Sequence, residues 1–222
     1  MQTSRLQLVR LTEDHVPGYH AIWSDPFTTR WSSHGHCATL EDSREWMSAL
    51  LPDVNPKGVN YAVLLRADID LDLAEIAQAQ ARHGTPGPGG DVDGDGETIL
   101  RPGGFLGWVG TWRSDPEPEV GLIFHRSTWG LGFATEALGA FLEIFWKERP
   151  EFEHLEAWVD EENSASSNVL RKCGFQLVER LEGDYILKWM VPELRNSLHF
   201  RARRAGSSAV ATGGDAERTH SS

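Results

Sequence analysis

Residues 119–142 read EVGLIFHRSTWGLGFATEALGAFL, a short apolar strand pattern that passes through a turn carrying Gly130 and Gly132 into an amphipathic helix. That order sets a row of unpaired backbone N–H groups ahead of the helix, where they can grip an anion. The two glycines remove side chains from the approach surface and accept dihedrals that other residues resist. Amides from Leu131 to Thr135 then point outward together, and a phosphate accepting several charge-assisted bonds gains about 1.5–3 kcal/mol from each before ordering costs. A nucleotide-triphosphate loop would need Lys then Ser or Thr after the last glycine, and a dinucleotide fingerprint would need Gly or Ala where Thr135 stands. Both patterns fail. An ordinary turn relieved by two glycines stays open beside a pyrophosphate cradle.

The rest of the chain supplies a sheet for that strand. Strand patterns are predicted at 6–11, 60–65, 104–112, 119–124, 155–159, 175–179 and 185–191, and helical spacing at 13–23, 39–51, 132–146 and 164–173. A meander of antiparallel strands joined to one strand-helix-strand unit predicts an α/β sheet covered by helices, and excludes a bundle or a sandwich. At about 67–100 the composition changes to Ala and Gln, then HGTPGPGGDVDGDGE, with acids recurring against the single Arg82. Such a segment cannot offset its ordering entropy by burial and reads as a mobile surface insertion, apart from a short helical candidate at 71–81. Its DVDGDGE run departs from a calcium loop, because Pro102 stands where the closing glutamate is required. Beyond Pro192 no periodic apolar face is evident, so 192–222 is expected to be a flexible tail, disordered from about Ala205.

Length and charge narrow the function. The chain has 222 residues, enough for one domain with a substantial core, and a net charge of −12 argues against a nucleic-acid partner. Cys37 and Cys173 are too few for a disulfide scaffold and lack the spacing of a zinc knuckle. The start MQTSRLQLVRL lacks the apolar core of a secretory signal, and no segment approaches the length of a membrane span. A cytoplasmic protein with no membrane partner is expected. The histidines at 15, 20, 34, 36 and 125 lack convincing zinc-like spacing, so no metal is expected.

Taken in order, TSRLQLVRLTEDH, FLGWVG from Phe105, EVGLIF, WGLGFATEAL and NSASSNVLRKCGF from Asn163 resemble the GCN5-related N-acetyltransferase (GNAT) family. The similarity covers most of residues 3–190 and is greatest to the RimJ/RimL-like branch that acetylates ribosomal-protein N-termini. It implies a mixed, mostly antiparallel sheet of six or seven strands with a splayed pair, flanked by about four helices, over 1–191. It also implies acetyl-CoA as co-substrate and a primary amine as acceptor, a peptide or protein N-terminus or a small molecule, in a monomer or homodimer. In this family the pantetheine arm lies beside the splayed strand, here Val120, Gly121, Leu122, Ile123 and Phe124. The pyrophosphate lies at Trp129, Gly130, Leu131, Gly132, Phe133, Ala134 and Thr135, with Asn163 meeting the acyl-CoA. Trp129 replaces the usual glutamine or arginine.

Aminolysis of a thioester needs a neutral amine, so the site must accept a proton and hold the amine at the carbonyl. Glu119 is the leading base or water relay, set against a plain solvent-facing carboxylate in PEPE. Glu136 is weighed both as a catalytic group and as a favourable charge at a helix start. The tyrosine that many relatives use to protonate the thiolate is Leu170 here, while the serine proposed in the ribosomal-protein branch is matched by Ser166. Ser167 reads as a neighbouring surface residue, and Cys173 as a small core residue and not a nucleophile. Trp23, Trp31 and Trp46 read as core aromatics or as walls of an acceptor pocket. A catalytically weak acyl-CoA-binding or interaction module is the competing function.

Overall fold

In the computed structural model, which describes residues 1–69, 71, 76, 78, 81 and 99–205, alternate side chains of the early strands sort between two cores. In β1 (Leu6–Arg10) and β2 (Asn60–Leu65), Leu6, Leu8, Tyr61, Val63 and Leu65 enter one core. Ala62 enters a second core on the opposite face, with Leu64 packed against it. Period-two alternation produces this division, and helices cover both faces. On the second face, α1 (Val16–Trp23) and α2 (Leu40–Ser48) bring Tyr19, Ile22, Trp23 and Met47 onto Trp108. The start of α2 is fixed by Thr39, whose hydroxyl accepts from Asp42 N at 3.1 Å.

The first core is closed by α3 (Phe133–Glu148) and α4 (Ser164–Lys172). Phe133, Ala137, Leu138, Phe141 and Phe145 of α3 recur at helical spacing and are fully buried. Each buried phenylalanine contributes roughly 1.5–3 kcal/mol of transfer free energy. Gly174, at φ +87°, ends α4 before Phe175 turns back into the core.

The remaining strands are β3 (Phe105–Arg113), β4 (Glu119–Phe124), β5 (His154–Asp160), β6 (Gln176–Ile186) and β7 (Leu194–Arg203). Their order is β1-β2-β3-β4-β5-β7-β6, antiparallel throughout except for β4 beside β5. With the four α-helices given above, this is the mixed, mostly antiparallel sheet expected.

Two expectations need correction. The last strands were expected at 175–179 and 185–191 with a tail from 192, yet Leu194–Arg203 is β7, paired along its length with β5. Its apolar period is masked, because one buried face carries Arg195, Ser197 and His199 and is neutralised by partners on β5 and β6. The insertion at about 67–100 is rooted in the core, where Ile76, Ile99 and Leu100 are buried. The DVDGDGE run and residues 206–222 of the expected tail lie outside the described residues.

Candidate active site

β4 and β5 share a single register position, Glu119 opposite Glu156, with Glu156 N donating to Pro118 O at 2.9 Å. No register continues beyond that point, so two parallel strands that touch at their beginnings diverge toward Phe124 and Asp160. Opposite Glu119, the register of β3 slips at Trp112, which adds local twist. The carbonyl of Phe124 at the open end accepts from Trp129 Nε1 at 2.9 Å. Trp129 therefore uses its only side-chain donor to fix the turn, and its ring lies 5.8 Å from that of Phe27.

The turn itself needs its glycines, since Gly130 and Gly132 have φ of +76° and +80°. Gly132 is the N-cap of α3, so the amides of Phe133, Ala134 and Thr135 open the helix. Sequence reasoning assigned no role to Arg5, which braces this turn. Its Nη1 donates to Leu131 O at 2.9 Å, and its guanidinium lies 4.3 Å from the Phe133 ring centroid. Glu136 closes the brace by accepting from Thr3 Oγ1 at 2.6 Å, Ser4 Oγ at 2.9 Å, and Arg5 N and Nε, each at 2.8 Å. Burial would raise the Glu136 carboxyl, but these donors hold it below the usual glutamate range. Glu136 is thus a tie between the chain start and α3.

Across the splay, Asn163 caps α4 by accepting from Ser166 N at 3.1 Å. Ser166 is partly exposed, whereas Ser167 is buried with its Oγ lacking a hydrogen-bond partner among the described residues, so the surface reading of Ser167 is wrong. The helix register turns Ser167 inward one turn before Leu170, which is 2% exposed in the core. Burial pushes the Cys173 thiol up to about 11, and its Sγ donates to Thr135 O at 3.4 Å. Such a thiol is almost wholly protonated at neutral pH.

At the apex Glu119 is 7% exposed and its Oε2 accepts from Arg113 Nη2 at 2.7 Å. Burial raises its carboxyl above the usual range, against the opposing pull of Trp112, Arg113 and His199. The plain solvent-facing alternative is excluded by that burial. A glycine-bearing anion turn at one end of a strand splay and a desolvated carboxylate at the other can hold a phosphate-tethered group and accept a proton beside it.

A family profile described as acetyltransferase (GNAT) domain matches residues 5–176. The chain belongs to the GNAT acetyltransferase family. Among solved structures, a GNAT-family acetyltransferase from Bacillus anthracis aligns with a TM-score of 0.66 at 16% identity, covering 91% of this chain and 97% of that one. RimL, a ribosomal L7/L12 alpha-N-protein acetyltransferase solved in complex with coenzyme A, aligns at 0.64 with 13% identity, covering 90% and 95%. The uncharacterized protein YkkB of Bacillus subtilis strain 168 is 34% identical over 96 residues. That is 41% of this chain and 52% of YkkB, so the chain spans about half the length of this curated relative.

In this GNAT chain, the connection between β6 and β7 meets the one between α1 and α2. Trp189, between β6 and β7, donates Nε1 to Arg30 O at 2.8 Å, and the Arg195 guanidinium lies 5.8 Å from the Trp31 ring. Trp23 is 6% exposed and packs between Tyr19 and Trp46, so it belongs to the second core. At the end of β5, Asp160 accepts from Arg195 Nε at 2.9 Å and Nη2 at 3.0 Å and from Tyr185 Oη at 2.5 Å. Among the described residues no helix is long and apolar enough to cross a membrane.

Proposed function

We propose that this GNAT chain transfers an acetyl group from acetyl-CoA directly to a primary amine. The observation that carries the reading is the β4–β5 splay, with Glu119 buried at its apex and the Gly130–Gly132 turn beyond its mouth. Val120 to Phe124 flank the pantetheine arm, the amides of 131–135 hold the pyrophosphate, and Asn163 meets the acyl-CoA from α4. Glu119 takes a proton from the acceptor amine, directly or through water, and Ser166 donates toward the departing thiolate. The backbone near Leu122 receives the acyl oxygen.

The acceptor we favour is a peptide N-terminus, as in the RimJ/RimL-like branch. RimL's fold and the branch motifs at Asn163 and Ser166 support that choice. A cytoplasmic monomer or homodimer suits two unpaired cysteines. A binding module with weak catalysis is the second reading, favoured by Leu170, which fills the core where many relatives carry an acid.

Incubation with acetyl-CoA and a panel of peptides, polyamines and amino sugars separates the two. Free thiol and acylated amine are expected in equal amounts for at least one acceptor class. Tight acetyl-CoA binding with no acylated product across the panel would favour the module.

A further inference from the structure

Acetylation of a protonated amine leaves one proton over. An N–C bond forms and the C–S bond breaks; of the two protons the nitrogen loses, one reaches the thiolate sulfur and the other must reach solvent. Glu119 can take that second proton, but it is buried and must be emptied before the next turnover. Its paired residue on β5 is Glu156, which points to the same face because parallel strands in register present alike, and which is 4% exposed.

Glu156 Oε2 lies 2.5 Å from His199 Nε2 on β7, and His199 Nδ1 lies 3.3 Å from Glu179 Oε1 on β6. The Glu179 side chain is 51% exposed. The imidazole thus bridges a buried carboxylate and a solvated one through its two nitrogens. Trp158 stacks on the imidazole with centroids 4.1 Å apart and planes 3° from parallel, which fixes the direction of both nitrogens. The charged groups facing this cluster are Arg113 from β3, Glu119 from β4, His154 and Glu156 from β5, Glu179 from β6 and Arg201 from β7. Arg201 Nε donates to Glu156 Oε1 at 2.6 Å, so the carboxylate already has a permanent cation. A histidine is not needed to neutralise it.

We propose that Glu156 and His199 form the proton exit of the acceptor site. Glu119 passes the amine proton to Glu156; His199 takes it at Nε2 and releases its Nδ1 proton to Glu179 and solvent. Both residues act through Glu119 and are positioning and relay residues. Imidazole suits the task because its two ring nitrogens can accept a proton at one end and donate one at the other. The proposal rests on the acetyl-transfer reading above.

His199→Gln keeps the shape and one hydrogen bond but cannot relay. Its kcat is expected to fall about tenfold with KM and melting temperature unchanged; in His199→Ala, which vacates the space of the ring, imidazole added to the buffer is expected to restore turnover. Wild-type kcat and pH profile in His199→Gln would overturn the relay, as would a loss in folded His199→Ala that imidazole leaves untouched. A second arm needs no turnover, so it separates failure of the relay from failure of the acetyl-transfer reading. The ring-nitrogen NMR chemical shifts of His199 at fixed pH are expected to move in Glu119→Gln, since the group that feeds the relay is replaced by an amide. Unchanged shifts would overturn the coupling even if no amine is ever acetylated.

Discussion

Replacing Glu119 by glutamine is expected to lower kcat by about 100-fold or more, the ordinary contribution of a positioned general base, while acetyl-CoA affinity stays unchanged. The side chain sits at the one point where β4 and β5 touch, buried and bonded to Arg113. A carboxyl accepts the amine proton only when ionised, so kcat/KM rises with pH through the Glu119 titration. Burial places that titration above the usual glutamate range, and the acid limb should lie there in the wild type and vanish in the variant. Stability gives an independent check. Because the folded-state pKa is raised, the glutamic acid form is the one favoured by folding, and that contribution is lost as pH rises through the folded value. Glu119→Gln should therefore be neutral or slightly stabilising near neutral pH. Full turnover with an unaltered pH profile would remove Glu119 from the chemistry.

Asp160→Ala is expected to destabilise the protein by about 3–5 kcal/mol, because it leaves a buried guanidinium without its main partner. The Arg195 and Asp160 side chains are 3% and 1% exposed. Glu162, the other carboxylate on Arg195 at 2.8 Å, is 63% exposed and compensates weakly. For a chain of this length the loss corresponds to a melting temperature lower by roughly 10 °C. Burial would raise the Asp160 carboxyl, yet bonds from Arg195 and Tyr185 hold it below the usual range. With a depressed folded pKa, the stabilisation is present above the unfolded value and is lost as pH falls through the folded one. The gap between wild type and variant should thus be full at neutral pH and close in acid. Equal melting temperatures at neutral pH would show that the pair is not holding β5 to β7.

How far the sequence could be read depends on which partners a residue needs. The strand 119–124, the glycine turn and the helix that follows were legible because local period and dihedral demands specify them, and Phe133–Glu148 overruns its predicted 132–146 by only a few residues. Asn60–Leu65 was legible for the same reason. β7 was not, because it buries Arg195 and His199, whose partners Asp160 and Glu156 lie 35 and 43 residues away on β5. A longer separation, 131 residues, hid the Arg5–Glu136 brace, since nothing in TSRLQ says that its arginine will meet the first turn of α3. Ser167 was misread because its neighbours are polar, although helical register turns it inward ahead of Leu170.

The measurement closest to the central claim, that the turn between β4 and α3 holds an acyl-CoA, is acetyl-CoA affinity in the wild type and in Gly132→Asp. Aspartate tolerates the left-handed conformation better than most residues, and a Cβ at this position would lie 3.5 Å from Arg5 Nη2, so the folded variant is accessible. Its carboxylate would face the pyrophosphate. The account expects a loss of roughly 10- to 100-fold in affinity, the size of one or more charge-assisted bonds, in a variant that stays folded with a melting temperature lowered by the roughly 1–3 kcal/mol that a side chain at positive φ costs. Equal affinity in a folded variant would contradict it and would place the acyl-CoA away from this turn.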